Sequence, residues 1–124
     1  MLTAKQKLGA LGEAHAVNYL KGLGYKILER NYRHRLGEID IVAKFKNNLV
    51  FVEVKSQEKG VDFSPAQNVN SYKQKRLIKT AQIWLAENLI SGEIPWQIDV
   101  IVVEIDAQTK RAKIEHLQNC VWAK

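Results

Sequence analysis

The sequence predicts an α/β domain with the element order α-β-β-β-α-β-β. Three observations predict it: two segments repeat apolar residues at helical spacing, five apolar runs have the length of strands, and turn-forming residues separate them. The chain has 124 residues, of which 46% are hydrophobic, and this is enough for one core without a disulfide. We therefore expect a single domain spanning residues 1–124.

The first helix is predicted from about Lys5 to Leu23. Glu13 falls on the same helical stripe as Val17 and Leu20, so this acid points towards the apolar side. Tyr25 to Arg30 then has the pattern of a strand. Glu13 is therefore a candidate for completing a site on the sheet.

The segment "RNYRHRLG" follows and is predicted to be a basic loop. Arg30, Arg33 and Arg35 give it a positive charge that suits phosphate contacts. These three arginines are candidate nucleic-acid ligands.

Gly37 to Phe45 and Leu49 to Lys55 are predicted to form a hairpin with Asn47 and Asn48 as its turn. Residues 56–69 show little periodicity and are expected to form a loop that moves or wraps a ligand. The hairpin is the part of the chain that carries the most unusual residues.

The second helix is predicted to start near Ser71, with one apolar stripe and one basic face. The basic face consists of Lys73, Lys75, Arg76 and Lys79. We expect it to contact phosphates, and a merely solvated face is the alternative. Beyond it, "WQIDVIVVEID" predicts a central strand, and Lys113 to Leu117 predicts an edge strand.

The hairpin register predicts a cluster of charged residues. With the asparagine pair in the turn, Asp40 faces Lys55 and Val42 faces Glu53, and all four project from one face. Asp40 and Glu53 are then diagonal neighbours whose carboxylates can converge on one ion. Because hard cations take carboxylate oxygens, waters and phosphates, this pattern predicts a Mg²⁺ (or Mn²⁺) site with Lys55 beside it.

The alternative interpretation is an ordinary cross-strand ion pair between Asp40 and Lys55, with Glu53 facing solvent. Phe51, Val42 and the first helix favour the metal site instead. They indicate that this face is partly covered, where acids without a partner are unfavourable.

The spacing of Glu13, Asp40, Glu53 and Lys55 resembles the E…D…ExK motif of the PD-(D/E)xK nuclease superfamily, and the element order resembles its core. More closely, "GALGEAHAVNYL", "LERNYRHRLGEIDIVA", "LVFVEVKS", "YKQKRLIKTAQIWL" and "IDVIVVE" resemble the bacterial YraN family, small endonuclease-like proteins similar to archaeal Holliday-junction resolvases. The resemblance covers nearly the whole chain. It implies a restriction-endonuclease-like core, with a mixed central sheet flanked by helices.

By this resemblance, Asp40 and Glu53 would be the metal ligands, Lys55 the catalytic lysine and Glu13 the helix-borne acid. The resemblance also implies that Lys73 with Gln74 reaches the site or the nucleic-acid backbone. With the basic segments included, the expected nucleic-acid contacts are Arg30, Arg33, Arg35, Lys73, Gln74 and Arg76.

The charge balance favours a polyanionic partner. Nineteen Lys and Arg residues against thirteen Asp and Glu give a formal net charge of +6. No stretch approaches the ~18 apolar residues of a membrane span, and the first residues lack the apolar core of a signal peptide. We therefore expect a cytoplasmic protein with no membrane partner.

The favoured function is a metal-dependent DNA endonuclease that hydrolyses phosphodiesters, with branched or otherwise structured DNA as a candidate substrate. The alternative is a non-catalytic DNA-binding module that keeps the nuclease fold in recombination or repair, and RNA stays open as a substrate. A homodimer is a candidate state because symmetric paired cuts need two copies. Gln57 and Gln97 depart from the family pattern, which usually has Arg there.

Overall fold

The computed structural model describes residues 1–60 and 71–121. These residues form two helices and five strands in the predicted order α-β-β-β-α-β-β, which confirms the mixed α/β class. The elements are α1 (Ala4–Gly22), β1 (Lys26–His34), β2 (Gly37–Phe45), β3 (Asn48–Glu58), α2 (Ser71–Glu87), β4 (Trp96–Ile105) and β5 (Ala112–Leu117).

The five strands form one mixed sheet in the order β1-β2-β3-β4-β5. The central pair, β3 and β4, is parallel, and the other three neighbouring pairs are antiparallel. The parallel pair requires a crossover connection, which includes α2. Within the described residues, neither helix is long and apolar enough to pass through a bilayer.

Each helix covers one face of the sheet. Apolar residues of α1, among them Val17 and Leu20, pack with Val50 and Val52 of β3. On the other face, Trp84 and other residues of α2 pack with Phe51. Consecutive β3 residues therefore serve opposite cores, as strand alternation requires, and a helix lies over each side of the predicted site.

The predicted basic loop after Arg30 is wrong, because β1 continues to His34. Arg30 pairs with Ile41 and Tyr32 pairs with Ile39 of β2, and the Tyr32 side chain is buried in the α2-side core. Burial of the Tyr32 ring and the hydrogen bonds to β2 stabilise the strand conformation despite the many charged residues of this segment. Asn31 has a left-handed φ of 55° and falls between two paired positions, which marks an irregularity in the strand.

The predicted hairpin register is wrong by two residues. Phe45 pairs with Asn48, so Lys46 and Asn47 form the turn. Asn48 belongs to β3, and its side-chain amide donates to Gln97 Oε1 of β4 at 2.6 Å. A shift of two residues keeps alternating side chains on their predicted faces but changes which residues face each other.

As a result, Asp40 does not face Lys55. The observed register ends with Ile41 opposite Val52, and the next position places Asp40 across from Glu53. β3 also extends to Glu58, beyond the predicted start of the long loop. The rest of that predicted loop falls largely on residues 61–70, which lie outside the described residues.

Gly12 allows α1 to lie unusually close to β3. A Cβ built on Gly12 would lie 1.8 Å from Ser56 Oγ and 2.8 Å from Ser56 Cβ. The backbone of Ser56 is farther away, with its Cα at 3.7 Å. The close approach therefore depends on the absence of a side chain at Gly12, and it places the next residue, Glu13, over the sheet.

We predict that Gly12→Ala lowers the free energy of unfolding by about 1–3 kcal/mol, because the new methyl group overlaps Ser56. In a Ser56→Gly background the overlap disappears, and the same change should become neutral or stabilise by about 0.5–1 kcal/mol through helix propensity. Urea unfolding of the four proteins of this double-mutant cycle measures both effects.

Gly9→Ala is the matched control, since a Cβ at Gly9 meets nothing within 4 Å. It should stabilise the protein by about 0.5–1 kcal/mol. If Gly12→Ala lowers the free energy of unfolding equally in the wild-type and Ser56→Gly backgrounds, its effect does not come from overlap with the Ser56 side chain.

Candidate functional site

The sheet forks between β2 and β3. Their pairing ends at Ile41 and Val52, although both strands continue. Beyond that point, β2 stays paired with β1 as far as Gly37, and β3 stays paired with β4 as far as Glu58. Beyond the fork, the backbone N–H and C=O groups on the facing edges of β2 and β3 do not pair with each other, as they would in a continuous sheet.

Asp40 lies at the fork. Its Oδ2 accepts a hydrogen bond from the Val54 N–H at 2.7 Å, so a side chain replaces the missing ladder carbonyl. Ile39 and Ile41 are two residues apart, yet they pack into the cores on opposite faces. Strand alternation therefore breaks at Asp40.

Asp40 and Glu53 form an electrostatically unfavourable pair of acids. Burial, followed by the charge of Glu53, raises the pKa of Asp40 to about 7, and Glu38 and Glu13 add to this. Burial also raises the pKa of Glu53, although the nearby Lys55 charge acts in the opposite direction. Both carboxylates are thus placed where their surroundings disfavour the charged form.

Lys55 pairs with Glu53 rather than with Asp40. Its Nζ lies 3.6 Å from Glu53 Oε1, and the two side chains are only 19% and 21% exposed. The alternative interpretation, in which Glu53 faces solvent beside an Asp40–Lys55 ion pair, is therefore wrong. The register shift is the reason, because it brings Glu53 to the fork.

Two cavities meet at Lys55, which lines both of them. The larger cavity has a volume of about 530 Å³, lies against α2 and is lined in part by Glu53. The smaller cavity has a volume of about 270 Å³, lies against α1 and is lined in part by Asp40 and Glu13. The predicted common face therefore holds for Glu53 and Lys55, whereas Asp40 opens to the other side. The fork is the place where the two sides meet.

The larger cavity is predominantly cationic. Besides Lys55 it is lined by Arg33, Lys73 and Arg76, against the acids Glu38 and Glu53. The positive charge of Lys55, followed by desolvation, lowers the pKa of Lys73. Two ammonium groups this close favour an anion between or beside them.

Arg76 and Arg33 are oriented by contacts with the β1–β2 end of the sheet. Arg76 Nε donates to the Leu36 carbonyl at 2.8 Å, which turns the guanidinium towards the cavity wall. Arg33 Nε lies 3.6 Å from Glu38 Oε2, and both of these side chains are well exposed. Both predicted arginines thus line the cavity.

Glu13 is held by β1. Its Oε1 accepts hydrogen bonds from Arg30 Nε and from Asn31 Nδ2, each at 3.0 Å, and Arg30 Nη2 lies 3.0 Å away as well. Arg30, a predicted nucleic-acid contact, therefore forms an ion pair with Glu13 and is not part of either cavity lining. Asn31 is a partner of Glu13 that the sequence did not predict, and its left-handed φ of 55° departs from regular strand geometry.

The remaining predicted contacts lie outside the two cavity linings. Arg35 is exposed in the turn between β1 and β2, and Gln74 is half-buried on α2. Gln57 donates to Glu104 Oε2 at 3.3 Å, and Gln97 donates to Asp99 Oδ1 at 2.8 Å. Gln57 and Gln97 therefore form hydrogen bonds to acids of β4, and neither residue is part of the two cavity linings.

The donor set fits a hard cation with open coordination positions. In residues 1–60 and 71–121, no three His, Cys, Asp or Glu side chains form a ready-made metal cluster. Among the contacts of the described residues, Asp40 Oδ2 accepts from the Val54 N–H and Glu53 Oε1 lies beside Lys55 Nζ, so the second oxygen of each carboxylate is the candidate metal ligand. A cation here would relieve the repulsion between the acids and would take further ligands from water and phosphate.

We predict that Asp40→Asn stabilises the metal-free protein at about pH 8 by about 1–3 kcal/mol and has little effect below about pH 4. The folded pKa of Asp40 is raised, so its stabilising contribution is present below its unfolded pKa and is lost as the pH rises to about 7. Asn stays neutral and can still accept from the Val54 N–H. Urea unfolding of both proteins in EDTA measures the difference.

Asp106→Asn is the control with the opposite sign. Backbone N–H groups of Gln108 and Thr109 lower the pKa of Asp106, so its contribution is lost as the pH falls. A difference between Asp40→Asn and the wild type that does not change with pH would contradict the electrostatic description of the fork.

Comparison with known proteins identifies the family. Residues 12–103, which include the fork, match the model of Uncharacterised protein family UPF0102. A UPF0102 protein of Alkaliphilus oremlandii (strain OhILAs) is 45% identical over 114 residues, covering 92% of this chain and 97% of that relative. UPF0102 proteins of Clostridium botulinum strains Hall and 657 are 39% and 40% identical over 112 residues, covering 90% of this chain and 91% of theirs. The chain therefore belongs to the UPF0102 family, which confirms the predicted membership of the YraN family.

Proposed function

We propose that this protein is a Mg²⁺- or Mn²⁺-dependent DNA endonuclease that hydrolyses phosphodiester bonds at the sheet fork. The observation that carries the proposal is the meeting of two partly buried acids and Lys55 beside a cavity lined by further cationic side chains. Such a combination matches the needs of a phosphate bound next to a cation.

Membership of the PD-(D/E)xK superfamily, a restriction-endonuclease-like fold and similarity to Holliday-junction resolvases are parts of this proposal. The element order and the position of Asp40 and Glu53 on adjacent strands support them. Paired cuts in a symmetric junction would require two copies, and sedimentation at several concentrations tests for a homodimer.

Asp40 and Glu53 are the residues that would hold the cation, which would supply charge neutralisation and polarise a phosphoryl oxygen. Lys55 lies beside Glu53 and lines both cavities, so its ammonium group can orient the attacking water and stabilise charge that develops on the phosphate. Glu13, fixed by Arg30 and Asn31, can accept a hydrogen bond from a water in the smaller cavity.

The cationic wall of the larger cavity would bind the nucleic-acid backbone. Arg33, Lys73 and Arg76 lie on two elements that both line the cavity, so they can contact phosphates on either side of the scissile bond. These contacts position a substrate but do not read its sequence.

We predict that Glu53→Gln lowers the single-turnover rate of metal-dependent cleavage at least ~100-fold, because it removes one of two anionic ligands. Branched, flapped and plain duplex DNA are incubated with each protein and Mg²⁺ or Mn²⁺, and the products are separated on denaturing gels. Glu93→Gln changes an exposed acid before β4 and serves as the matched control.

The same experiment decides between catalysis and binding alone. If wild type and Glu53→Gln leave every substrate uncut while DNA binding persists, the protein is a binding module that keeps the arrangement without turnover. The observation that favours this second function is that Glu13 Oε1 already accepts hydrogen bonds from Arg30 and Asn31.

We predict that the double variant Lys73→Gln, Arg76→Gln weakens DNA binding and reduces the slope of log K against log salt by about one for each phosphate that is no longer neutralised. Titrations of labelled DNA at several salt concentrations measure the slope. Lys113→Gln, an exposed lysine on β5, is the matched charge control and should leave the slope nearly unchanged. An equal change in both proteins would show that the effect comes from net charge.

A further inference from the structure

Tyr72 is an exposed aromatic residue at the start of α2. Its relative exposure is 67%, whereas the other large side chains of the helix, such as Leu77 and Trp84, are buried in the core. Its neighbours in sequence on the same helix are cationic or polar. Packing therefore does not account for an aromatic ring at this position.

The ring is coupled to the wall of the larger cavity. The guanidinium carbon of Arg76 lies over the Tyr72 ring, 5.7 Å from its centroid. Arg76 is in turn fixed by its hydrogen bond to the Leu36 carbonyl and lines the cavity together with Glu53 and Lys55. Because residues i and i+4 share a helix face, Tyr72 lies one turn from the cavity wall.

We propose that Tyr72 is a stacking platform for an unpaired nucleobase whose backbone phosphate binds in the larger cavity. This inference rests on the proposed function and specifies its substrate as DNA that contains a single-stranded segment at the cleavage point. The exposed ring offers an apolar surface for a base, and Arg76 beside it offers a charge for the adjoining phosphate.

A duplex cannot use this platform without disruption, since its bases are already stacked and paired. An unpaired nucleotide in a flap, a branch point or a single strand has a free base face. Stacking of this kind accepts any base, and the cationic side chains of the cavity wall contact phosphates, so neither interaction depends on the base sequence. Tyr72 thus selects for substrate shape.

The test measures binding without catalysis. Fluorescence anisotropy in EDTA gives the affinity of each protein for a labelled oligothymidylate and for a short duplex of mixed sequence. Tyr72→Ala should weaken binding to the single strand roughly 5- to 50-fold and to the duplex less than about 2-fold. Tyr72→Phe and Tyr72→Trp should keep wild-type affinity, and the salt dependence should not change in any of them because no charge is altered.

Leu89→Ala is the control for removal of an exposed apolar side chain, since Leu89 is 91% exposed just beyond α2. Thermal unfolding confirms that each variant folds. The proposal is overturned if Tyr72→Ala leaves single-strand binding intact, if it weakens duplex binding equally, or if Phe does not substitute for Tyr.

The outcome separates this inference from the proposed function. If Tyr72→Ala cleaves DNA and binds single strands as the wild type does, the endonuclease proposal stands and the stacking proposal fails. If the wild type cleaves no substrate but its preference for single strands depends on Tyr72, the endonuclease proposal fails and the stacking proposal stands.

Discussion

The hydrogen bond from the Val54 N–H to Asp40 Oδ2 connects two strands at the point where their ladder ends, and the rest of the site depends on it. It satisfies a backbone donor that the fork would otherwise leave without its ladder partner. It also fixes one oxygen of Asp40 and so determines where the other can bind. A continuous ladder here would bury the edge of β3 that now leads into both cavities.

Holding the fork open has an electrostatic cost. Glu13, Asp40 and Glu53 bring three acids near a point where burial already disfavours the charged carboxylate. Part of the compensation is built in, with Arg30 on Glu13 and Lys55 on Glu53. Asp40 has no comparable cationic partner among the described residues, and this is the charge that a bound cation would neutralise.

Hydrophobic periodicity predicted the order of elements and the faces of β3, because a register error of two residues leaves every side chain on its predicted face. It could not predict the β2–β3 register. The start of β3 is placed in part by the hydrogen bond from Asn48 to Gln97 of β4, a strand that is adjacent in the sheet but distant in sequence. The same limit explains Glu13: its helix position was predictable, but its partners Arg30 and Asn31 depend on an irregular strand. Spacing therefore identified the charged residues of the fork, and tertiary contacts decided how they pair.

Another acid of the same sheet, Asp99, has surroundings that differ from those of the partly buried Asp40. Asp99 is fully buried, and its two oxygens accept hydrogen bonds from Gln97, from the Asn119 N–H and from His116 Nε2 at 2.7–2.8 Å. Its hydrogen-bonding needs are met by the protein, as expected for a structural residue. Asp40 accepts from the Val54 N–H and lines an open cavity. Among the described residues, the protein therefore provides more hydrogen-bond donors to Asp99 than to Asp40, and under the proposed function a bound cation would complete the surroundings of Asp40.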